Sequence, residues 1–239
     1  MEITKTKLRK VFGAHVTSIL SSHLKALPRS KGTVQKYEVV KDLPTEAEFG
    51  NLRAAHFTAT VDGLVSDAYG EFESLASELS DWYDALPESF QQGDKGSQLE
   101  DAKGILENLS PPDVPPSVAE LKVVYIPAED ASSRADRCSD ACGRLTAAKE
   151  AVAEYREELE TLKITSGAEA KAAFVKLVPL FDDDGEMTKI LKALCEGSDD
   201  EALQKFEEDF REDGDAENMI SELENAIGEA EGVEFPGMY

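Results

Sequence analysis

The chain has 239 residues, 41% of them apolar and 31% charged, and a formal net charge of −24. That composition supports a packed core in one domain or two small ones and lies outside the range of disordered chains. The charge is unevenly placed: residues 1–40 carry 8 Lys/Arg against 2 Asp/Glu, residues 41–130 carry 5 against 19, and residues 131–239 carry 12 against 28. An acidic body repels phosphates, so direct nucleic-acid binding by that body is excluded, and it favours basic partners.

From the N-terminus, residues 6–27 read as a basic amphipathic helix with Leu8, Phe12, Val16, Ile19 and Leu20 on one side and Pro28 as its stop. Two roles suit it: docking on the acidic body through charge and its apolar face, or serving as a nucleic-acid or membrane-surface arm. Lys7–Leu20 is only faintly like a signal peptide, because His15 breaks the apolar run and no small-residue cleavage site follows. Residues 33–40 and 55–61 have the alternating, β-branched character of short strands, which could pair as a hairpin. Thr45 and Glu48 between them form a capping box that suggests a short helix instead.

Residues 61–86 carry the strongest periodicity. Leu64, Ala68, Phe72, Leu75, Leu79, Trp82 and Leu86 recur at steps of three and four, which predicts one continuous helix face ended by Pro87. Trp82 falls on that stripe and is expected in the core, with Tyr83 one step off it. Ser97 and Glu100 form a capping box that predicts a helix over 97–109, and Pro111, Pro112, Pro115 and Pro116 predict a stiff connector. Residues 120–126 are a third strand candidate.

A second long helix is predicted over 131–163, with Ala135, Cys138, Cys142, Leu145, Ala148, Val152, Tyr155, Leu159 and Leu162 on its seam. Residues 61–86 and 131–163 are expected to form an antiparallel pair with 97–109 packed across them. Shorter helices follow at 167–181, 186–196, 199–211 and 215–230, with capping boxes at Ser166/Glu169 and Ser198/Glu201. The expected fold class is mainly α: a helical bundle built on the long pair, with a small β-hairpin or sheet near the N-terminus. The expected divisions are a basic segment over 1–60, a helical-hairpin core over 61–163 and acidic helices over 164–239.

The motifs that could carry chemistry are weak. Cys138, Cys142 and Cys195 are too few for a disulfide framework and read as reduced thiols of a cytoplasmic protein; the first two sit on an apolar stripe and read as small core residues. His15, His23 and His56 match no zinc or nucleophile pattern. Asp182-Asp183-Asp184-Gly185-Glu186 fails the EF-hand template and reads as a solvated turn. Gly93–Ser97 lacks the Walker spacing. No run approaches the 18 apolar residues that a membrane-spanning helix needs. Neither a cofactor, a metal nor an enzymatic activity is expected.

Phe72 through Phe90, followed by Gly93, Lys95, Leu106–Leu109 and the Pro112-Asp113-Val114-Pro115 connector, resembles a loose group of uncharacterised acidic helical proteins of bacteriophages and plasmids. The likeness extends over about residues 65–160 and includes the Ser133–Asp136 helix start. It implies a protein of a mobile element that interferes with or adapts host machinery. The function expected is non-enzymatic presentation of an acidic surface to a basic partner, in its sharpest form as a DNA mimic or anti-defence inhibitor. The partner-binding residues expected are Asp182, Asp183, Asp184, Glu186, Glu207, Glu208, Asp209, Glu212 and Asp213. The alternative is a structural or assembly protein, such as a virion component, that oligomerises through its helices.

Overall fold

A computed structural model describes residues 1–29, 33–129, 131–161, 165–181, 184–205, 207 and 214–236. The fold is mainly α-helical with short antiparallel strands near the N-terminus. The chain divides into two compact units, Met1–Thr58 and Ala59–Tyr239.

In the first unit the single helix predicted over 6–27 is replaced by several elements. They are strand β1 (Glu2–Thr4), helix α1 (Lys5–Phe12), helix α2 (Val16–Ile19) and strand β2 (Leu24–Ala26). The break comes at Gly13, whose φ of 84° closes α1, and at His15, which follows in the left-handed region at φ 59°. Strand β3 (Lys36–Val39) lies between the other two, antiparallel to both, with Tyr37 opposite Ile3 and Ala26. The segment 33–40 therefore pairs with β1 and β2 and not with 55–61. Helix α3 (Glu46–His56) forms where the Thr45 box predicts a helix: Thr45 Oγ1 accepts from Glu48 N, and the Glu48 carboxylate accepts from Thr45 N at 2.8 Å. Leu8, Val16, Leu20, Leu24 and Phe49 form this unit's core.

In the second unit strand β4 (Thr58–Thr60) pairs with β5 (Lys122–Val124) and runs directly into helix α4 (Val61–Asp84), capped by the Thr60 hydroxyl. A short turn of helix, α5 (Glu88–Gln91), precedes α6 (Asp94–Asn108), and another, α7 (Pro116–Ala119), follows the proline connector. Helix α6 begins at Asp94 behind Gly93, so Ser97 lies inside the first turns and caps nothing. Next come the long α8 (Arg134–Thr161), then α9 (Gly167–Leu177), α10 (Glu186–Glu196), α11 (Asp199–Lys205) and α12 (Gly214–Glu231). Pro179 ends α9 in a 3-10 turn, Val178–Leu180, since proline cannot supply the next helical donor.

Helices α4 and α8 are antiparallel: Arg137 near the start of α8 meets Glu78 late in α4, while Arg144 meets Asp67 a few turns earlier. Leu64, Ala68, Phe72, Leu75 and Leu79 of α4 are buried as the periodicity predicts, against α6 on one side and α8 on the other. Each fully buried leucine or phenylalanine is worth about 1.5–3 kcal/mol. Trp82 is half-buried rather than core, lying between the Lys95 ammonium, 4.8 Å from the ring centre, and the Arg134 guanidinium at 5.1 Å. Ala135 is exposed and Leu162 lies outside the described residues. The helices from 164 onward share this core, α12 packing along α8 through Met219, Leu223 and Ala226. Gly167 is the closest backbone contact among them: a Cβ there would overlap the Asp199 carbonyl, so α9 and α11 meet where no side chain fits.

Candidate functional site

The first unit carries ten Lys/Arg against five Asp/Glu, and the second fifteen against forty-four. The basic unit is also the one with a recognisable interaction geometry. Helix α1 is joined to α2 by the three residues Gly13, Ala14 and His15. A glycine-bearing turn of three to four residues is also the spacing that joins the two helices of a helix-turn-helix, and here the second helix is a single turn of four residues. The two helices are held together from beneath by Leu8, Val16 and Leu20, each fully buried, and Phe12 packs on Phe49 of α3 with ring centres 4.9 Å apart.

The outer side of the second helix and its following turn presents hydroxyls. Ser18, Ser21 and Ser22 are exposed, Thr17 is half-exposed, and the Ser22 hydroxyl lies 3.1 Å from His23 Nδ1. The chain then enters the β2–β3 hairpin. Arg29 Nε donates to the Thr33 carbonyl at 2.6 Å, and the Gln35 amide donates to the Leu27 and Lys36 carbonyls at 2.9 Å, which ties the base of the hairpin loop. Lys7, Lys10, Lys25 and Lys41 are exposed and have no ion-pair partner among the described residues. Lys36 pairs with Glu2 at 3.4 Å in an exposed contact of small energetic worth.

The acidic positions expected to bind a partner fare differently. Asp184 and Glu186 are exposed, and Glu207 is half-buried. Asp182, Asp183, Glu208, Asp209, Glu212 and Asp213 lie outside the described residues. The start of α10 beside Glu186 is already occupied: the Glu120 carboxylate accepts from Glu186 N and Met187 N, both at 2.9 Å. A carboxylate there satisfies the first free donors of the helix and complements its dipole. Among the described residues no group of three or more His, Cys, Asp or Glu is arranged to hold a metal ion.

Two polar centres in the second unit are structural. The Asp140 carboxylate, with a side chain 10% exposed, accepts from the Tyr125 hydroxyl at 2.9 Å, Ala128 N at 3.0 Å and Arg144 Nε at 3.2 Å. Its acceptor capacity is taken up in anchoring the chain after β5 to α8. The Cys138 and Cys142 thiols are buried one turn apart, Cys138 Sγ donates to the Ala230 carbonyl at 3.6 Å, and the neighbouring Cys138 sulfur together with burial pushes the Cys142 thiol far up. Only a thiolate is a good nucleophile, so this sulfur is inert. Among the described residues no helix is long and apolar enough to cross a membrane.

Comparisons with protein families, with curated proteins and with solved structures return no match. The break between α1 and α2 was missed in the sequence because Leu8, Phe12, Val16, Ile19 and Leu20 fit one helical stripe with Gly13 as a tolerated interior residue. The available signal was Thr4 as an N-cap nine residues before Gly13, a distance that suits one short helix of eight residues and its stop.

Proposed function

We propose that the protein is a non-enzymatic DNA-binding adaptor. Its N-terminal unit docks on duplex DNA, and its acidic helical unit engages a basic protein partner. The observation that carries the first half is the pair of short helices α1 and α2, joined by a three-residue glycine-bearing turn, followed by a hairpin and lying in the one basic part of an acidic chain; we read it as a helix-turn-helix. In such a motif the second helix enters the major groove and the first crosses the backbone. The hydroxyls of Ser21 and Ser22 can donate to or accept from base edges, while that of Ser18, which donates to the His15 carbonyl at 2.8 Å, can accept. Lys7, Lys10, Lys25 and Arg29 supply the charge that phosphate contact requires. A membrane-surface role for the same segment is less well supported, because its apolar residues Leu8, Val16 and Leu20 are spent on the unit's core.

The second half of the reading rests on charge. Exposed carboxylates occur on every long helix of the acidic unit, for example Asp67 and Glu73, Glu100 and Glu107, Glu154 and Glu157, Glu217 and Glu224. That spread favours a body that repels DNA and attracts basic proteins over a mimic of the nucleic-acid backbone, which needs one continuous charged face.

The test is fluorescence anisotropy of the full chain with duplexes of about 30 base pairs, between about 50 and about 200 mM salt. Affinity should fall log-linearly with salt, and each of Lys7→Gln, Lys25→Gln and Arg29→Gln should reduce the slope by about one. No binding at the lowest salt, or a slope unchanged in all three variants, overturns the reading.

A further inference from the structure

Two adjoining depressions of about 390 and 330 Å³ run along α12, opposite the proline connector, and share Asp113 and Glu222. One wall is stiff and apolar, built from Pro111, Val114 and Pro115. The other is the stripe of α12 that carries Glu222, Asn225 and Glu229. No Lys or Arg lines either depression.

The two sides of α12 differ in how their charges are met. On the side toward α8, Glu217 pairs with Arg156 at 3.0 Å and Glu224 with Lys149 at 3.1 Å. On the groove side Glu222 and Glu229, and Asp113 opposite them, have no ion-pair partner among the described residues. A second observation concerns a buried hydroxyl on α4. The Tyr69 side chain on α4 is 5% exposed, and its hydroxyl has no hydrogen-bond partner. The charges of Glu222 and Glu229, both on the groove stripe, act on that hydroxyl. A buried hydroxyl without a partner is costly, so such a group beside a cleft marks a place where polar contact is still to be completed.

We propose that this groove is the docking site for an extended, Lys/Arg-rich segment of a protein partner. The proposal deepens the reading of the acidic unit as partner-binding and does not depend on DNA binding by the first unit. The groove stripe from Asp215 to Glu229 covers fifteen helical residues, a rise of about 21 Å, which matches about six residues of extended chain. Long basic side chains fit such a cleft by laying their aliphatic stems on the prolines and delivering their charged ends to the carboxylates. Charge complementarity selects a basic segment over an acidic or neutral one.

The experiment titrates the full chain into a fluorescein-labelled peptide of about eight alternating Arg and Ala residues at about 0.1 M salt. Glu222→Gln/Glu229→Gln should weaken binding about tenfold. Glu150→Gln/Glu157→Gln, which removes the same charge from the open face of α8, should change it less than about twofold. Equal losses in the two variants, no loss in either, or displacement of the peptide by spermine at equal concentration would each reduce the effect to general counterion attraction and overturn the proposal. Duplex binding measured on the same variants separates the two readings, because neither pair lies in the first unit.

Discussion

The guanidinium of Arg137 closes on the carboxylate of Glu78 across the seam between α8 and α4, Nη1 to Oε1 at 2.5 Å. Its Nε holds Glu71 at 2.5 Å, two turns earlier on α4, and its Nη2 donates to the Ser74 hydroxyl at 3.2 Å. Arg134 adds a bond to the second oxygen of Glu78 at 3.0 Å. Apolar stripes tolerate sliding by a turn, whereas this fork-shaped donor set accepts one offset, so the arginines fix the register of the central pair.

Glu78 therefore links stability to acid. The hydrogen bond from Arg137 leads the causes that hold its carboxyl below the ordinary 4.5. A depressed carboxylate contributes stability above the unfolded value and loses it as pH falls through the folded value. Glu78→Gln should cost about 1 kcal/mol at neutral pH, since the site is partly exposed and screened. The deficit should shrink as pH is taken from neutral to acid through the depressed folded value, because the wild-type carboxyl is then neutralised as well. Thermal unfolding of both proteins at neutral and at acid pH measures this, and an equal deficit at both would assign the loss to packing.

Gly13 sets the geometry on which the DNA-binding reading depends. At φ 84° and ψ −158° it occupies a region that residues with a Cβ avoid, yet an added Cβ would meet nothing within 4 Å. The penalty of Gly13→Ala is thus conformational rather than steric, about 1–3 kcal/mol. His15, at φ 59° and ψ 7°, lies in a left-handed region that asparagine adopts readily, so His15→Asn should keep the turn and lose only the edge-on contact of the imidazole with the Phe57 ring, 4.9 Å between centres, at a cost of about 1 kcal/mol. Hydrogen exchange at the amides of the first unit should show opening accelerated more in Gly13→Ala than in His15→Asn, with duplex affinity falling in step. A Gly13→Ala protein with unchanged exchange and unchanged affinity would contradict the role given to this turn.

The same residues explain what could be read in advance. The α4 and α8 seams were legible because burial on one face of a long helix forces a 3.6-residue rhythm, and Leu75, Leu79, Leu145 and Val152 obey it. Trp82 broke the pattern because two cations from other segments meet its ring, a tertiary relation that periodicity does not encode. In the first unit the elements are only three to eleven residues long, too short for a rhythm to build up. Gly13 and His15 there decide the path by backbone conformation, which the stripe of apolar residues running through them conceals. The acidic positions chosen by density lacked any such geometric signal. The groove along α12 depends instead on which carboxylates find cations, and that became visible only once Arg156 and Lys149 were placed.

Tyr69 provides a test at the alkaline end. Burial first, then the charges of Glu222 and Glu229, push its phenol up to about 12. For an acid whose folded value is raised, the neutral form is the one the fold prefers. Its contribution is complete below the unfolded value of about 10 and is lost as pH rises from there through the folded value. The wild-type protein should therefore lose stability between about pH 10 and about pH 12. Tyr69→Phe removes a hydroxyl that has no hydrogen-bond partner and keeps the ring against Phe72, 5.8 Å between centres. It should be neutral or stabilising by up to about 1 kcal/mol at pH 7, because no bond is broken and a desolvation penalty is relieved. It should also flatten the alkaline decline, as one raised phenol no longer ionises. Denaturant titrations across the range measure both effects. A Phe variant destabilised by more than about 1 kcal/mol at neutral pH would show that the hydroxyl is bonded in solution, and would remove the second observation on which the α12 groove rests.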